Sequence, residues 1–492
     1  MKKILCISTL FSFLFLAFLS TLQAATVTIE RDEIDKILKR QDVLEKKVMK
    51  LQEKGGGKSV NKLNYLHADV EDISDRLDKI ETKSILNKIT IGGEYRTRLD
   101  CFQYDDWANP LTGVKDDSTV EEFWTNRLRL NLKSKISDNL IFHGRLSYFK
   151  AWSTSNDGLV PSFDLTYPSV PDADGNLHVE RAYIDWFIPG SPFSFSFGRL
   201  PTSEGPPNEL RDNTTRKGTW PTLVVNGETD GIFANWALQE WTGLKNSMFR
   251  LAYVKLGQNY AEYQGIDLNE CRTITGTFEM EIPGIKDSFF WLSYSSILSM
   301  PALSSIPAGY PMSVLSYPDQ AGDLDMAALH LQVNNFKNNG IDLFFSFSYL
   351  DWSPNSQGTV LDNGLELGLW GDNASGNLGD SQDGYCYYTG IRYMLPFPAL
   401  KNPSIGIEYN HGSKYWSGML SGGSGDIINK IGVNGDAYEL YYIQPFYKDH
   451  MFCRLGVVHM DYEYLNPMLV YGSQQTSDMK ITNLYLITDI KF

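Results

Sequence analysis

The feature that most constrains this chain is the alternating length of the joints between its period-two segments. From Asn87 onward, apolar and polar residues alternate. Ile89, Ile91, Tyr95 and Leu99 share one parity, and Thr90, Glu94, Arg96, Arg98 and Asp100 the other. Trp124, Leu128, Leu130 and Leu132 likewise alternate with Arg127, Arg129, Asn131 and Lys133. A side-chain period of two is that of a β-strand. Sixteen strands are predicted, near 88–100, 123–133, 140–150, 179–188, 193–200, 229–237, 248–256, 272–282, 288–298, 324–334, 341–352, 385–395, 404–411, 437–446, 451–463 and 480–492. Alternation alone also fits a soluble sandwich, whose strands keep one wet and one dry face. The joints decide. Most of those after even-numbered strands are tight, as at Ser137-Asp138-Asn139, 189–192 and 283–285. Those after odd-numbered strands are long and rich in Gly, Asp, Asn, Ser and Pro, as at 151–178 and 201–228.

Short turns on one side and long loops on the other are the arrangement of a transmembrane β-barrel. The expected fold is therefore all-β: a transmembrane antiparallel barrel of about sixteen strands, an even number, over residues 87–492. A closed sheet pairs every backbone group in hydrocarbon without leaving an edge. Outward side chains meet lipid and inward ones meet water, so one strand can carry Glu94, Arg96, Arg98 and Asp100. A helical span could not, and the chain lacks the repeated apolar stretches of a polytopic helical protein. A formal net charge of −15 argues against a nucleic-acid partner, which normally requires a basic face.

One long apolar run exists, Ile4 to Leu19, behind Lys2 and Lys3 and ahead of Ser20-Thr21-Leu22-Gln23-Ala24-Ala25. These flanks predict a signal peptide over 1–24, cut after Ala24. Residues 25–86 form a predicted periplasmic helical, coiled-coil segment. Ile34, Ile37, Gln41, Leu44, Val48 and Leu51 keep heptad stepping, Gly55-Gly56-Gly57 interrupt it, and Leu63, Leu66, Val70, Ile73, Leu77 and Ile80 resume it. A hairpin of two amphipathic helices and a parallel self-associating coil, most simply a trimer, both fit this spacing. Cys101, Cys271, Cys386 and Cys453 are too scattered for a disulfide framework.

At the far end, Leu484, Leu486, Thr488, Ile490 and the terminal Phe492 share one parity, opposite Asn483, Tyr485, Asp489 and Lys491. An amphipathic last strand ending in Phe resembles the assembly signal of Gram-negative outer-membrane barrels. The stretch Val179-Glu180-Arg181-Ala182-Tyr183-Ile184-Asp185-Trp186, a tight turn, then Phe193 to Pro201 with Gly198-Arg199, resembles the core of bacterial general porins. The helical segment is similar to that of porin-like proteins with a periplasmic extension. The resemblance implies a sixteen-stranded trimer whose third long loop folds into the pore. That loop corresponds to residues 202–229, with Glu204, Glu209, Asp212 and Glu228 beside Arg211, Arg216 and Lys217. Facing it by parity stand Arg96, Arg98, Arg127, Arg129, Lys133, His143 and Arg145.

Two readings of these charges stay open. They form a constriction in which a basic wall faces an acidic loop across the pore. Alternatively, the arginines pair with Glu94, Asp100 or loop acids as struts. Arg199 shares its parity with Phe193, Phe195 and Phe197, so a bulge or the membrane rim must accommodate it.

No catalytic constellation is present, and the chain is read as not an enzyme. Gly422-Gly423-Ser424-Gly425-Asp426 lacks the nucleophile-elbow pattern. Asp172, Asp174 and Asn176 lack the closing Glu of a calcium loop. No zinc or haem signature occurs, so no metal or cofactor is expected. The acidic stretch 371–383 could meet divalent ions that bridge lipopolysaccharide. The functional expectation is an outer-membrane channel for passive diffusion of small hydrophilic solutes or ions. Its lining would be Arg96, Arg98, Arg127, Arg129, Arg145, Glu204, Glu209 and Asp212. Its partners would be outer-membrane lipid, lipopolysaccharide and two further copies. The alternative is a plugged structural barrel whose helical segment tethers it to the cell wall or mediates self-association.

Overall fold

A computed structural model describes residues 89–108, 115–152, 176–255, 271–300, 322–354, 359–360, 366–367, 380–418, 427–447, 450–465 and 475–492. The chain divides into two compact units, 1–90 and 91–492. The predicted signal peptide and helical segment lie outside the described residues, as do Ser424, Asp172, Asp174 and residues 371–379.

Sixteen antiparallel strands close into one barrel. In chain order they are β1 (Ile89–Ala108), β2 (Lys115–Ser137), β3 (Leu140–Ala151), β4 (Leu177–Phe187), β5 (Phe193–Leu200), β6 (Thr229–Ala237), β7 (Met248–Lys255) and β8 (Arg272–Met280). They continue as β9 (Ser288–Met300), β10 (Gly322–Val333), β11 (Ile341–Pro354), β12 (Gln382–Met394), β13 (Ser404–Gly412), β14 (Gly435–Tyr447), β15 (Met451–Tyr462) and β16 (Lys480–Lys491). Each strand pairs with its sequence neighbour, and β16 returns to β1 with Arg96 opposite Asp489 and Leu99 opposite Leu486. The closure is completed by the last residue. Gly93 and Phe492 exchange backbone hydrogen bonds of 2.7 and 2.9 Å. The Phe492 ring occupies the space that a side chain at position 93 would need, 2.4 Å from an ideal Cβ.

The period-two pattern becomes two faces. Tyr294, Ile407, Leu440, Leu455 and Leu484 are exposed on the outside. Arg96, Thr275, His330, Glu439 and Asp489 are buried on the inside. An apolar outer belt around a polar interior is the inverse of a soluble barrel, and it requires lipid as the outer solvent. Arg199 is accommodated at the rim: it faces outward beside the last β5–β6 pair, opposite Asp230, and the two form a 3.2 Å ion pair. Near the membrane midplane a charge on this face would cost about 2–4 kcal/mol, falling to about 0–1 near the interface.

One irregularity in β4 matters for the interior. Arg145 pairs with Arg181 but Leu146 pairs with Val179, so Glu180 is an extra residue in the ladder. This β-bulge buries two consecutive charged side chains, Glu180 and Arg181.

Candidate functional site: the inner face and its two inward loops

The segment 201–228, between β5 and β6, folds into the barrel and is buried along most of its length. Its two arms lie backbone against backbone. A Cβ at Gly205 would meet the Trp220 carbonyl oxygen at 1.6 Å, so only glycine fits there. The Thr222 N–H donates to the Pro206 carbonyl at 2.8 Å, and the Glu204 N–H to Asn226 Oδ1 at 2.9 Å. A single helical turn, α1 (Asn208–Arg211), carries the segment across the interior.

Glu204 meets the basic wall directly. Its carboxylate pairs with Arg129, accepts from Arg145 Nη1 at 2.7 Å, and lies 3.8 and 3.7 Å from Arg127 and Arg181. Two wall carboxylates share the same cations: Glu180 pairs with Arg129 and Arg145, and Glu94 with Arg127, Arg129 and Lys217. Burial alone would push the Glu204 carboxyl up, but Arg129, Arg145, Lys217 and Arg127 hold it well below the usual carboxylate range. Glu228, whose burial outweighs Arg181 at 3.1 Å, is raised instead.

At the other end of α1, Asp212 accepts from Arg96 and from Arg454, each at 3.1 Å. These two guanidiniums, with Arg211, hold the Asp212 carboxyl down against the effect of burial. Arg96 also reaches Asp489 at 2.8 Å, while Arg211 pairs with Glu439 at 3.2 Å. Arg392 donates to the Leu210 carbonyl at 2.6 Å. Glu209 accepts from Gln332 at 2.9 Å, and burial raises its carboxyl. Arg216 pairs with Glu279 at 3.1 Å. The segment is thus tied to β1–β4, β8, β10, β12, β14 and β15. Its apolar side chains Leu210, Trp220, Leu223 and Val224 join a buried cluster with Phe233, Val254, Trp291, Ile297, Leu324 and Met326.

A second inward loop, after β13, has no counterpart in the sequence-based expectations. Ile427, Ile428, Ile431 and Val433 are buried, and Trp416 Nε1 donates to the Ile431 carbonyl at 2.8 Å. Lys430 pairs with both Glu408 and Glu439, and its ammonium lies 5.0 Å from the Tyr388 ring centroid. Glu439 therefore receives Lys430 from one loop and Arg211 from the other. A sequence signal for this existed. Glu408 and Glu439 are directly opposite on β13 and β14, and like charges so placed are unfavourable without a cation between them.

Of the eight residues expected to line the interior, all are buried on the inner face or in loop 201–228. Arg96, Arg127, Arg129, Arg145, Glu204 and Asp212 belong to the two ion-pair groups. Arg98 pairs with Asp100 at 2.7 Å, and Glu209 sits on the opposite side, against Gln332. Glu94, Glu180, Arg181, Arg211, Lys217, Glu228, Arg392, Glu408, Lys430, Glu439, Arg454 and Asp489 extend the network beyond those eight.

A closed sheet, apolar outside and charged inside, with two loops docked on its inner wall, defines a transmembrane β-barrel of the outer-membrane type. Within that class the chain belongs to the family described as "Protein of unknown function (DUF3373)", which matches residues 117–490. No curated protein matches the chain. Among solved structures it is similar to the Salmonella typhi OmpF complex with daunomycin, at 11% identity and TM-score 0.44, over 82% of this chain and 97% of that one. It is also similar to Pseudomonas putida OprB at high pH, at 12% identity and TM-score 0.45, over 83% and 96%. A third is the anion-selective porin from Comamonas acidovorans, at 11% identity and TM-score 0.44, over 82% and 99%.

Proposed function

We propose that this protein is an outer-membrane channel that passes small hydrophilic solutes or ions by diffusion, with loop 201–228 as its constriction. Arg96, Arg98, Arg127, Arg129, Arg145, Glu204, Glu209 and Asp212 line the narrow part. The observation that carries this reading is the inner face itself: a barrel that excluded water would not place so many ionised groups along its interior. Because the wall arginines already have Glu94, Glu180 and Glu204 as counter-charges, ion preference is weak rather than strongly anionic. The outer rim meets lipopolysaccharide, three copies assemble, and residues 25–86 extend into the periplasm.

One observation favours a second reading. Loop 201–228 contacts the wall on opposite sides, and the β13–β14 loop adds a further buried cluster. A barrel filled in this way serves as a plugged structural element whose helical segment does the work. Single-channel recording of the refolded chain in a planar bilayer under a salt gradient separates the two. Discrete open steps support the channel, with three-step closure for a trimer. A silent bilayer from verified folded barrel refutes it in favour of the plugged reading.

A further inference from the structure

We propose that the lipid-facing rim of strands β5–β8 is a docking site for the phosphorylated headgroup of lipopolysaccharide. The proposal rests on the outer-membrane setting and not on whether the barrel conducts. Four charged residues meet there in register. Arg199 on β5 is opposite Asp230 on β6, Asp230 is opposite Lys255 on β7, and Lys255 is opposite Arg272 on β8. Each stands at, or one residue from, the end of its strand that joins a long loop, and long loops mark the extracellular side. Two residues further along the same strands, about 7 Å toward the membrane, lies a second row in register: Phe197, Ile232, Tyr253 and Ile274. All four of these are exposed on the outside.

The two rows set the ligand class. The charged row holds three cations and one carboxylate, and Arg199 already pairs with that carboxylate at 3.2 Å. Lys255 and Arg272 face each other directly, and like charges so placed are unfavourable. An anion lying over both relieves that cost. A phosphate suits it best, because it carries more than one charge and offers several acceptors to a guanidinium fork. The apolar row beneath then runs along the acyl chains of the same molecule. A free phosphate would use the cations and leave that row without a role, so the lipid is the occupant. The sign of the rim also selects this side of the barrel. On β10–β12, Asp325, Asp351 and Asp383 are directly opposite one another. They share the outward parity of the exposed Tyr349 and Tyr385, and carboxylates so placed repel a phosphorylated headgroup.

The test uses the full chain, refolded in detergent and checked for heat-modifiable migration. The probes are lipid A, the phosphorylated anchor of lipopolysaccharide, its dephosphorylated form, and inorganic phosphate. Native mass spectrometry reads the bound fraction along each titration. Lipid A is expected to bind about tenfold or more tightly than the dephosphorylated form, and equimolar inorganic phosphate is expected not to displace it. Arg272→Gln is expected to weaken lipid A about fivefold, and Lys255→Gln combined with Arg272→Gln about 25-fold. Lys286→Gln, which removes an exposed cation at the short turn between β8 and β9, is expected to leave binding unchanged. Unchanged binding in the double variant, an equal loss in Lys286→Gln, equal binding of the dephosphorylated form, or displacement by inorganic phosphate overturns the proposal. Arg272→Gln decides alone should the double variant fail to fold.

Discussion

Replacing Glu204 by Gln removes one buried negative charge while keeping the side chain's size. In the wild type, Glu94, Glu180, Glu204 and Glu228 face Arg127, Arg129, Arg145, Arg181 and Lys217. The variant leaves those cations one carboxylate short. Breaking a buried pair from one side costs about 3–5 kcal/mol. A unit charge acting on an ion ~8 Å away at an effective dielectric of ~20 is worth about 2 kcal/mol. Screening over a Debye length of about 8 Å reduces this to roughly 0.8 kcal/mol, a three- to fourfold rise in local anion occupancy. Two assays read the change. Reversal potential in a potassium chloride gradient is expected to move toward chloride, and trypsin is expected to cut at Arg216 and Lys217 as the loop loosens. A variant with unchanged reversal potential and an uncut loop would refute the role of Glu204 as the shared counter-charge of the basic wall.

Glu209→Gln should behave oppositely, because burial already raises this carboxyl and the amide oxygen can still accept from Gln332. Its loop is expected to resist trypsin at least as well as wild type at neutral pH, and faster cleavage would contradict that. The pH dependence follows from the two directions. Glu204 and Asp212, held low, favour docking above their ordinary values and lose that contribution as pH falls through their folded values. Glu209 and Glu228, held high, favour docking below their ordinary value of 4.5 and lose it as pH rises through their folded values. Docking of the loop, read as low conductance, is thus expected to peak near pH 4.5, and a monotonic profile would count against it. Gly205→Ala must displace the Trp220 carbonyl, and overpacking of this kind costs about 1–3 kcal/mol. It is expected to loosen the loop while heat-modifiable migration of the barrel survives.

The strand pattern was legible because a side-chain period of two records the solvent on each face of a strand. The sixteen predicted segments overlap the sixteen barrel strands in order, and the parity of Leu484 and Leu486 against Asn483 and Tyr485 survives in their burial. Charged residues of the early strands were also legible as inward, since only the inner face of such a barrel tolerates them. Glu180 and Arg181 were not, because a one-residue bulge reverses parity without changing the composition of the segment. Loop acids gave their charge but not their partners. Asp212 meets Arg96 and Arg454 from strands far apart in sequence, and Glu439 joins Lys430 and Arg211 from two different loops. The chain by itself determined a closed sheet between lipid and water, because that boundary is written residue by residue along each strand. Only the tertiary structure decided which buried charges cancel, because pairing depends on closure of the barrel and on where two loops come to rest inside it.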